Sequence, residues 1–375
     1  MKDPRVTKFA KVLVNHSTKV QPGEKVLIEV FDVPDDVTIA VINEVFAAGG
    51  IPLLEIKNNH IQRKLYMQGT DDFFKLAADV ELNRMKQMDC YIAVRGILND
   101  KEFSDIPGDQ MSKYEKLWML PVHLQERVPN TRWVVCRFPS YTYAQKAKMS
   151  LEAFEDFFFN ACCEVDYDKM GAEMQSLKAL MEKTDKVRLL GPGDTDLAFS
   201  IKGLPAIPCS GSHNIPDGEV FSAPVRDSVN GVIHYNTPSS FRGFTFEDIR
   251  LIFKDGKIVE ATANDTERIN AIFDNDEGAR YVGEFAVGCN PGVTQPMDET
   301  LFDEKIGGSI HFTPGNSYDD CDNGNKSSIH WDLVLIQTPE YGGGEIYFDD
   351  VLLRKDGKFV LGELEGLDKL VRPSL

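Results

Sequence analysis

Six residues in the C-terminal half bring together side-chain types that hold divalent metal ions: Glu219, Glu284, Glu304, His311, His330 and Asp332. His330 and Asp332 stand two apart in IHWDLVLIQ. On a strand, alternation sends both to one face, where an imidazole and a carboxylate share an ion or pair with each other. Glu304, His311 and Tyr318 fall within LFDEKIGGSIHFTPGNSY, where Gly307-Gly308 permits a sharp turn. Glu219 follows the Pro-Asp-Gly turn of NIPDGEVFSAP, and Glu284 interrupts the apolar run of YVGEFAVG. A carboxylate in such a run faces water if the strand is half-buried. If it is buried, it needs a partner or a metal.

Four carboxylates brought together repel one another, and two divalent cations cancel their charge. Oxygen and nitrogen donors without thiolate suit Zn, Co or Mn. Two such ions, about 3.5–4 Å apart, activate a bridging water and polarise a carbonyl. His311, His330 and Asp332 alone make the two-His-one-carboxylate set of Fe(II) dioxygenases. A third reading is a non-catalytic binding protein whose acidic cluster holds a structural cation. The sequence contains no HExxH helix, phosphate-cradling GxxxxGK[ST] loop or GxSxG elbow. Gly342-Gly343-Gly344 precedes a strand and reads as a turn.

The elements that must position these residues change character along the chain. The first half alternates helix and strand. Helical spacing over Arg5 to Asn15 is followed by KVLIEV (Lys25 to Val30), a helix from Pro34-Asp35-Asp36 to Gly49-Gly50, and IPLLEI (Ile51 to Ile56). CYIAVRG and RWVVCRF give two more strands, separated by helical stretches near Asp71 to Met88 and Gln110 to Arg127. Further helices are expected at Leu151 to Cys163 and Tyr167 to Lys183. Such alternation argues a mostly parallel sheet covered by helices. Past Lys186 the pattern becomes short strands with turn signals, and KDGK appears twice, at Lys254 to Lys257 and Lys355 to Lys358, each an Asp-Gly hairpin signal. The expectation is an α/β N-terminal domain over 1–185 and a strand-rich mixed α+β C-terminal domain over 186–375, which carries the candidate ligands.

Composition narrows the functional classes. A net charge of −18 argues against a nucleic-acid groove, which needs a basic footprint. No apolar run approaches the length of a membrane span. The N-terminal MKDPRVTKFAKVLVNHSTKV has amphipathic rather than signal-peptide spacing. The seven cysteines form no CxxC pair and read as reduced thiols of a cytoplasmic protein.

The segments DTDLAFSIKG, HNIPDGEVFSAPVRDSVNG, the glycine-glutamate of VGEFAVG, TLFDEKIGGSIHFTPGNSY and SSIHWDLV resemble, in order, the thermophilic aminopeptidase family, metallopeptidases of the aminopeptidase T and aminopeptidase S type. The resemblance covers most of the second half and, more loosely, the first. It implies metal ligands at Glu219, Glu284, Glu304, His311, His330 and Asp332, with Tyr318 in the site. It also implies a homodimer with an internal cavity favouring short peptides. Family members have a shorter step from the glutamate to the histidine. Here Glu304 precedes His311 by seven residues, and Gly307-Gly308 absorbs the difference. The reading is an aminopeptidase that removes N-terminal residues by a two-metal-activated water. Glu284 bridges the ions, and Tyr318 and Arg226 face the oxyanion. Arg226, in APVRDSV, is equally explained by a structural salt bridge to Asp227 or another acid. The alternative is a ring-cleaving Fe(II) dioxygenase of related fold.

Overall fold

The computed structural model describes residues 3–370. Their contacts separate two compact units. One runs through Cys163 and takes back Gly211–Ile215; the other comprises Glu164–Ser210 and continues from Pro216. The helix Tyr167–Met181 belongs to the second unit, ahead of the change in texture near residue 185.

The first unit is built on a five-stranded sheet in the order Ile51–Lys57, Lys25–Phe31, Cys90–Arg95, Arg132–Arg137, Asn214–Ile215, with every pair parallel. The central strands are apolar on both faces, as helix-covered parallel strands must be. Helix Asp71–Met85 starts where the Thr70 side chain accepts the Phe73 N–H, and Asp71 and Asp72 complement its dipole. A helix at Asn59–Gln68, capped by Asn58, adds to the expected set. The edge strand departs from the buried pattern: Ile51, Leu53, Leu54 and Ile56 are all exposed. Among the described residues, no helix is long and apolar enough to cross a membrane.

The second unit holds two large antiparallel sheets and a two-stranded hairpin, Ser239–Phe241 with Phe244–Phe246. The larger runs Lys257–Thr262, Arg250–Lys254, Asn230–His234, Asp196–Ser200, Lys186–Leu190, Glu345–Phe348, Val351–Lys355, Lys358–Phe359. Both KDGK segments turn hairpins in it. Asp255 and Gly256 have φ of 49° and 82°, and Asp356 and Gly357 have 47° and 77°, as a two-residue turn with positive φ at both positions demands. The smaller sheet is a meander in chain order: Ile207–Cys209, Glu219–Ser222, Val282–Gly288, Ser309–Pro314, Val334–Ile336. One face packs on the larger sheet, where Phe199 meets Phe285 and Phe312 at ring separations of 4.9 and 5.0 Å. Buried Arg354 ties the two together by donating to the carbonyls of Gly288 and Ser309. The α/β unit and the strand-rich unit match the fold class expected.

Candidate metal centre

The opposite face of the small sheet collects the ligand candidates, and register explains how. Ala286 lies opposite His311, Glu284 opposite Thr313, and Gly288 opposite Glu219. Residues directly opposite share a face, and side chains repeat with period two. Glu219, Glu284 and His311 therefore face one way while Phe285 and Phe312 face the other. Asp332 lies two residues before Val334, which pairs with His311. Thr313 secures it, donating to Asp332 Oδ1 at 2.8 Å.

His330 and Asp332 do share a side, although the regular strand begins only at Val334. His330 makes an isolated bridge with Gly315. Trp331 points the other way, stacked on Phe241 at 4.6 Å with its indole N–H donating to Ser239. Glu304 ends the short helix Thr300–Asp303. Gly308, at φ +90°, then turns the chain where a Cβ would strike Thr338 and Gly357, so the glycine absorbs the long step to His311.

Glu284 sits at the middle of the constellation, 3% exposed. Its Oε1 lies 3.1 Å from His311 Nε2, and its Oε2 lies 3.2 Å from His330 Nε2. His311 Nε2 is also 3.4 Å from Glu219 Oε2, and His330 Nε2 is 3.2 Å from Asp332 Oδ1. Two lobes result, one of Glu219, Glu284 and His311 and one of Glu284, His330 and Asp332, with Glu304 closing on His311 and Asp332. Within each group, donor atoms come within 4.8 Å of one another. Nδ1 of His330 contacts the Asn316 carbonyl at 2.8 Å, which aims Nε2 inward. Gly283 makes room for that carbonyl, because a Cβ there would collide with it.

The electrostatics are those of a cation site. Burial alone would raise the Glu284 carboxyl, but the hydrogen bond with His311 and the close approach of the His330 imidazole outweigh it and hold the group below its ordinary value. Burial would depress His311, yet Glu219 and Glu284 push it up to about 9. Burial, reinforced by Glu219 and Asp332 against the opposing pull of Lys305, lifts Glu304 to about 8. Glu219 Oε2 and His330 Nε2 are buried without a hydrogen-bond partner, a costly state that a dication beside each relieves. The residues present thus fit divalent metal. Glu219, Glu284, Glu304, His311, His330 and Asp332 would hold it, and binding would compete with protons for the histidines and Glu304.

Tyr318 flanks the site, its ring 4.5 Å from that of His330. The ring is 48% exposed. Desolvation of the hydroxyl, followed by the charges of Glu284, Asp332, Glu304 and Glu219, pushes the phenol well above its ordinary value. Arg226 makes its contacts elsewhere: it donates to Asn325, stacks over Tyr281 at 3.7 Å and lies 3.7 Å from Glu277.

Two charged residues of the centre escaped the sequence reading. Lys305 is 2% exposed, with its Nζ 2.7 Å from both Glu219 and Glu304 and 3.6 Å from Asp217, itself buried. A lysine next to a glutamate reads as a solvated pair, and an aspartate in Pro-Asp-Gly reads as a turn residue. The only signal was the apolar flanks of Lys305, Phe302 and Ile306.

The family model described as thermophilic metalloprotease (M29) matches residues 2–357. Aminopeptidase PepS of Streptococcus thermophilus is 24% identical, over 88% of this chain and 91% of its own. Among solved structures, wild-type AmpT from Thermus thermophilus superposes with a TM-score of 0.79 at 20% identity, covering 96% of this chain and 99% of that one. The 2,5-dihydroxypyridine dioxygenase of Pseudomonas putida KT2440 superposes with 0.61 at 12% identity, covering 97% and 99%, so the fold is shared with an oxygenase. With a metal-binding constellation on that fold and a family match over nearly its full length, the chain belongs to the thermophilic metalloprotease family M29 and is a metal-dependent peptidase.

Proposed function

We propose that the protein is an aminopeptidase that removes N-terminal residues from short peptides with two divalent ions, Zn, Co or Mn, per chain. The observation that carries this reading is Glu284, whose two carboxylate oxygens each face a different histidine. Glu219, Glu284, Glu304, His311, His330 and Asp332 are the ligands in this reading, with Glu284 common to both lobes. Bound ions supply Lewis acidity, polarising the scissile carbonyl and acidifying a water. The chain's residues do the rest. The carboxylates favour the cationic α-amino group of a free N-terminus. Tyr318 keeps its proton and donates to the oxygen that gains charge during attack. Arg226, engaged with Asn325 and Tyr281, is given no step. A mononuclear iron centre on His311, His330 and Asp332 does not need Glu219 and Glu284. The reading extends to a homodimer, supported by the exposed apolar edge strand Ile51–Lys57, a surface that calls for cover. It also extends to a cytoplasmic setting, supported by seven cysteines held as thiols rather than disulfides.

The test combines metal analysis with a peptide panel. Clean protein is expected to bind two ions, to lose activity on chelation and to regain it with Zn, Co or Mn. It is expected to cleave free N-termini and spare N-acetylated peptides. Full activity after verified metal removal, or equal cleavage of blocked and free peptides, defeats the proposal. One iron with oxygen consumption points to the oxygenase.

Tyr318→Phe separates donor from ligand. A phenol, with an ordinary pKa of about 10 raised further here, is a donor at neutral pH. Losing one such donor costs about 100-fold in kcat, with metal content intact. A metal ion lost with the hydroxyl makes Tyr318 a ligand instead, and an unchanged kcat makes it packing.

A further inference from the structure

Lys305 and its partner Asp217 are side chains of the centre that the proposed chemistry leaves without a task. Lys305 follows the helix Thr300–Asp303, and its backbone is pinned by the Lys305 N–H donating to the Phe302 carbonyl and the Asn290 N–H donating to the Lys305 carbonyl. Its ammonium lies in the protein interior, a costly placement unless carboxylates surround it. Three do: Glu219, Glu304 and Asp217.

The geometry divides the labour between oxygens. The ammonium takes Oε1 of Glu219 at 2.7 Å and Oε1 of Glu304 at 2.7 Å. Oε2 of Glu219 is left facing His311 at 3.4 Å, buried and without a hydrogen bond. The charges divide as well. Asp217, Glu219, Glu284, Glu304 and Asp332 carry five negative charges. Two dications supply four positive charges and Lys305 supplies the fifth. Among the described residues the ion-pair partners of Lys305 are Asp217, Glu219 and Glu304.

We propose that Lys305 is a positioning residue of the centre: its ammonium fixes Glu219 and Glu304 as one-oxygen metal ligands and neutralises the fifth carboxylate. The proposal rests on the two-ion reading above and adds a residue that acts directly on the Glu219 side and reaches the other lobe only through Glu304, which closes on Asp332. Removing the ammonium frees both glutamates to turn and leaves Asp217 unbalanced, while Glu284, His330 and Asp332 keep their contacts with one another.

The test is a Zn²⁺ titration of chelator-treated full-length protein, wild type against Lys305→Met and Lys305→Gln, with circular dichroism to show that each is folded. The wild type is expected to take two ions. In both variants one ion is expected to bind about 10–100-fold more weakly, the loss typical of an outer-sphere partner, while the other keeps wild-type affinity. Equal weakening of both ions, or none, overturns the proposal. Wild-type affinity in Lys305→Gln overturns the charge role. A wild type that saturates with one ion sinks the two-ion reading alone; the Lys305 role then stands if the variants weaken that ion and falls if they do not.

Discussion

Glu284→Gln is expected to lower kcat/KM by roughly 10³-fold or more and to release metal. Glu284 presents Oε1 toward His311 and Oε2 toward His330. A neutral amide offers one oxygen and one N–H group, so at least one lobe loses a ligand. The ions in the proposed function supply several kcal/mol of transition-state stabilisation, and each 1.36 kcal/mol is tenfold in rate. The fold is expected to survive, because Gln has nearly the same volume and Phe285 still packs between the sheets. Elemental analysis beside steady-state rates decides the matter. Full metal and full rate in the variant would reduce Glu284 to a structural hydrogen-bond partner.

His330→Ala and Asp332→Ala are expected to lose metal occupancy and rate together, and to lose them in the same lobe. Their side chains meet at 3.2 Å, and Thr313 and the Asn316 carbonyl hold them there. Even outer-sphere partners cost 10–100-fold in metal affinity when removed, and a direct ligand should cost at least about that much. Acting on one ion, the two changes are also expected to be non-additive: the double variant falls little below the worse single one. Independent, multiplying losses would place the two residues on different ions. Wild-type metal and rate in both singles would leave the pair as a structural contact.

Much of this was legible because local rules agreed with the tertiary outcome. The parallel strands read as apolar runs since both their faces are covered, and the KDGK turns read correctly because Asp-Gly tolerates the backbone they need. The His330–Asp332 pair was visible through alternation alone, with Trp331 turned to the core between them. Glu284 was harder. On a half-buried strand it faces water, and only a strand buried at every position from Val282 to Gly288 takes it inside. That depends on the meander register, which no single segment reveals. Lys305 and Asp217 were illegible for the same reason: Lys305 meets the Asp217–Glu219 segment and Asp217 meets the Asn290 and Lys305 segments, each distant in sequence. The exposed apolar face of Ile51–Lys57 was hidden for the opposite reason, since an edge strand and a central strand of a parallel sheet have the same composition.

The chain does not complete one sheet of the second unit before starting the other. It lays two strands in the large sheet, Lys186–Leu190 and Asp196–Ser200, and two in the ligand sheet, Ile207–Cys209 and Glu219–Ser222. It returns to the large sheet for Asn230–His234, Arg250–Lys254 and Lys257–Thr262, and goes back for the three strands that carry Glu284 and His311 and end beyond Asp332. It closes in the large sheet with Glu345–Phe348, Val351–Lys355 and Lys358–Phe359. Neither sheet is therefore a separable foldon. Opening the ligand strands breaks the order of the support beneath them, so their amides are expected to exchange with solvent at the free energy of the whole unit rather than by local fraying. A ligand that binds only the native state deepens protection across every strand of both sheets at once, including those that never touch it.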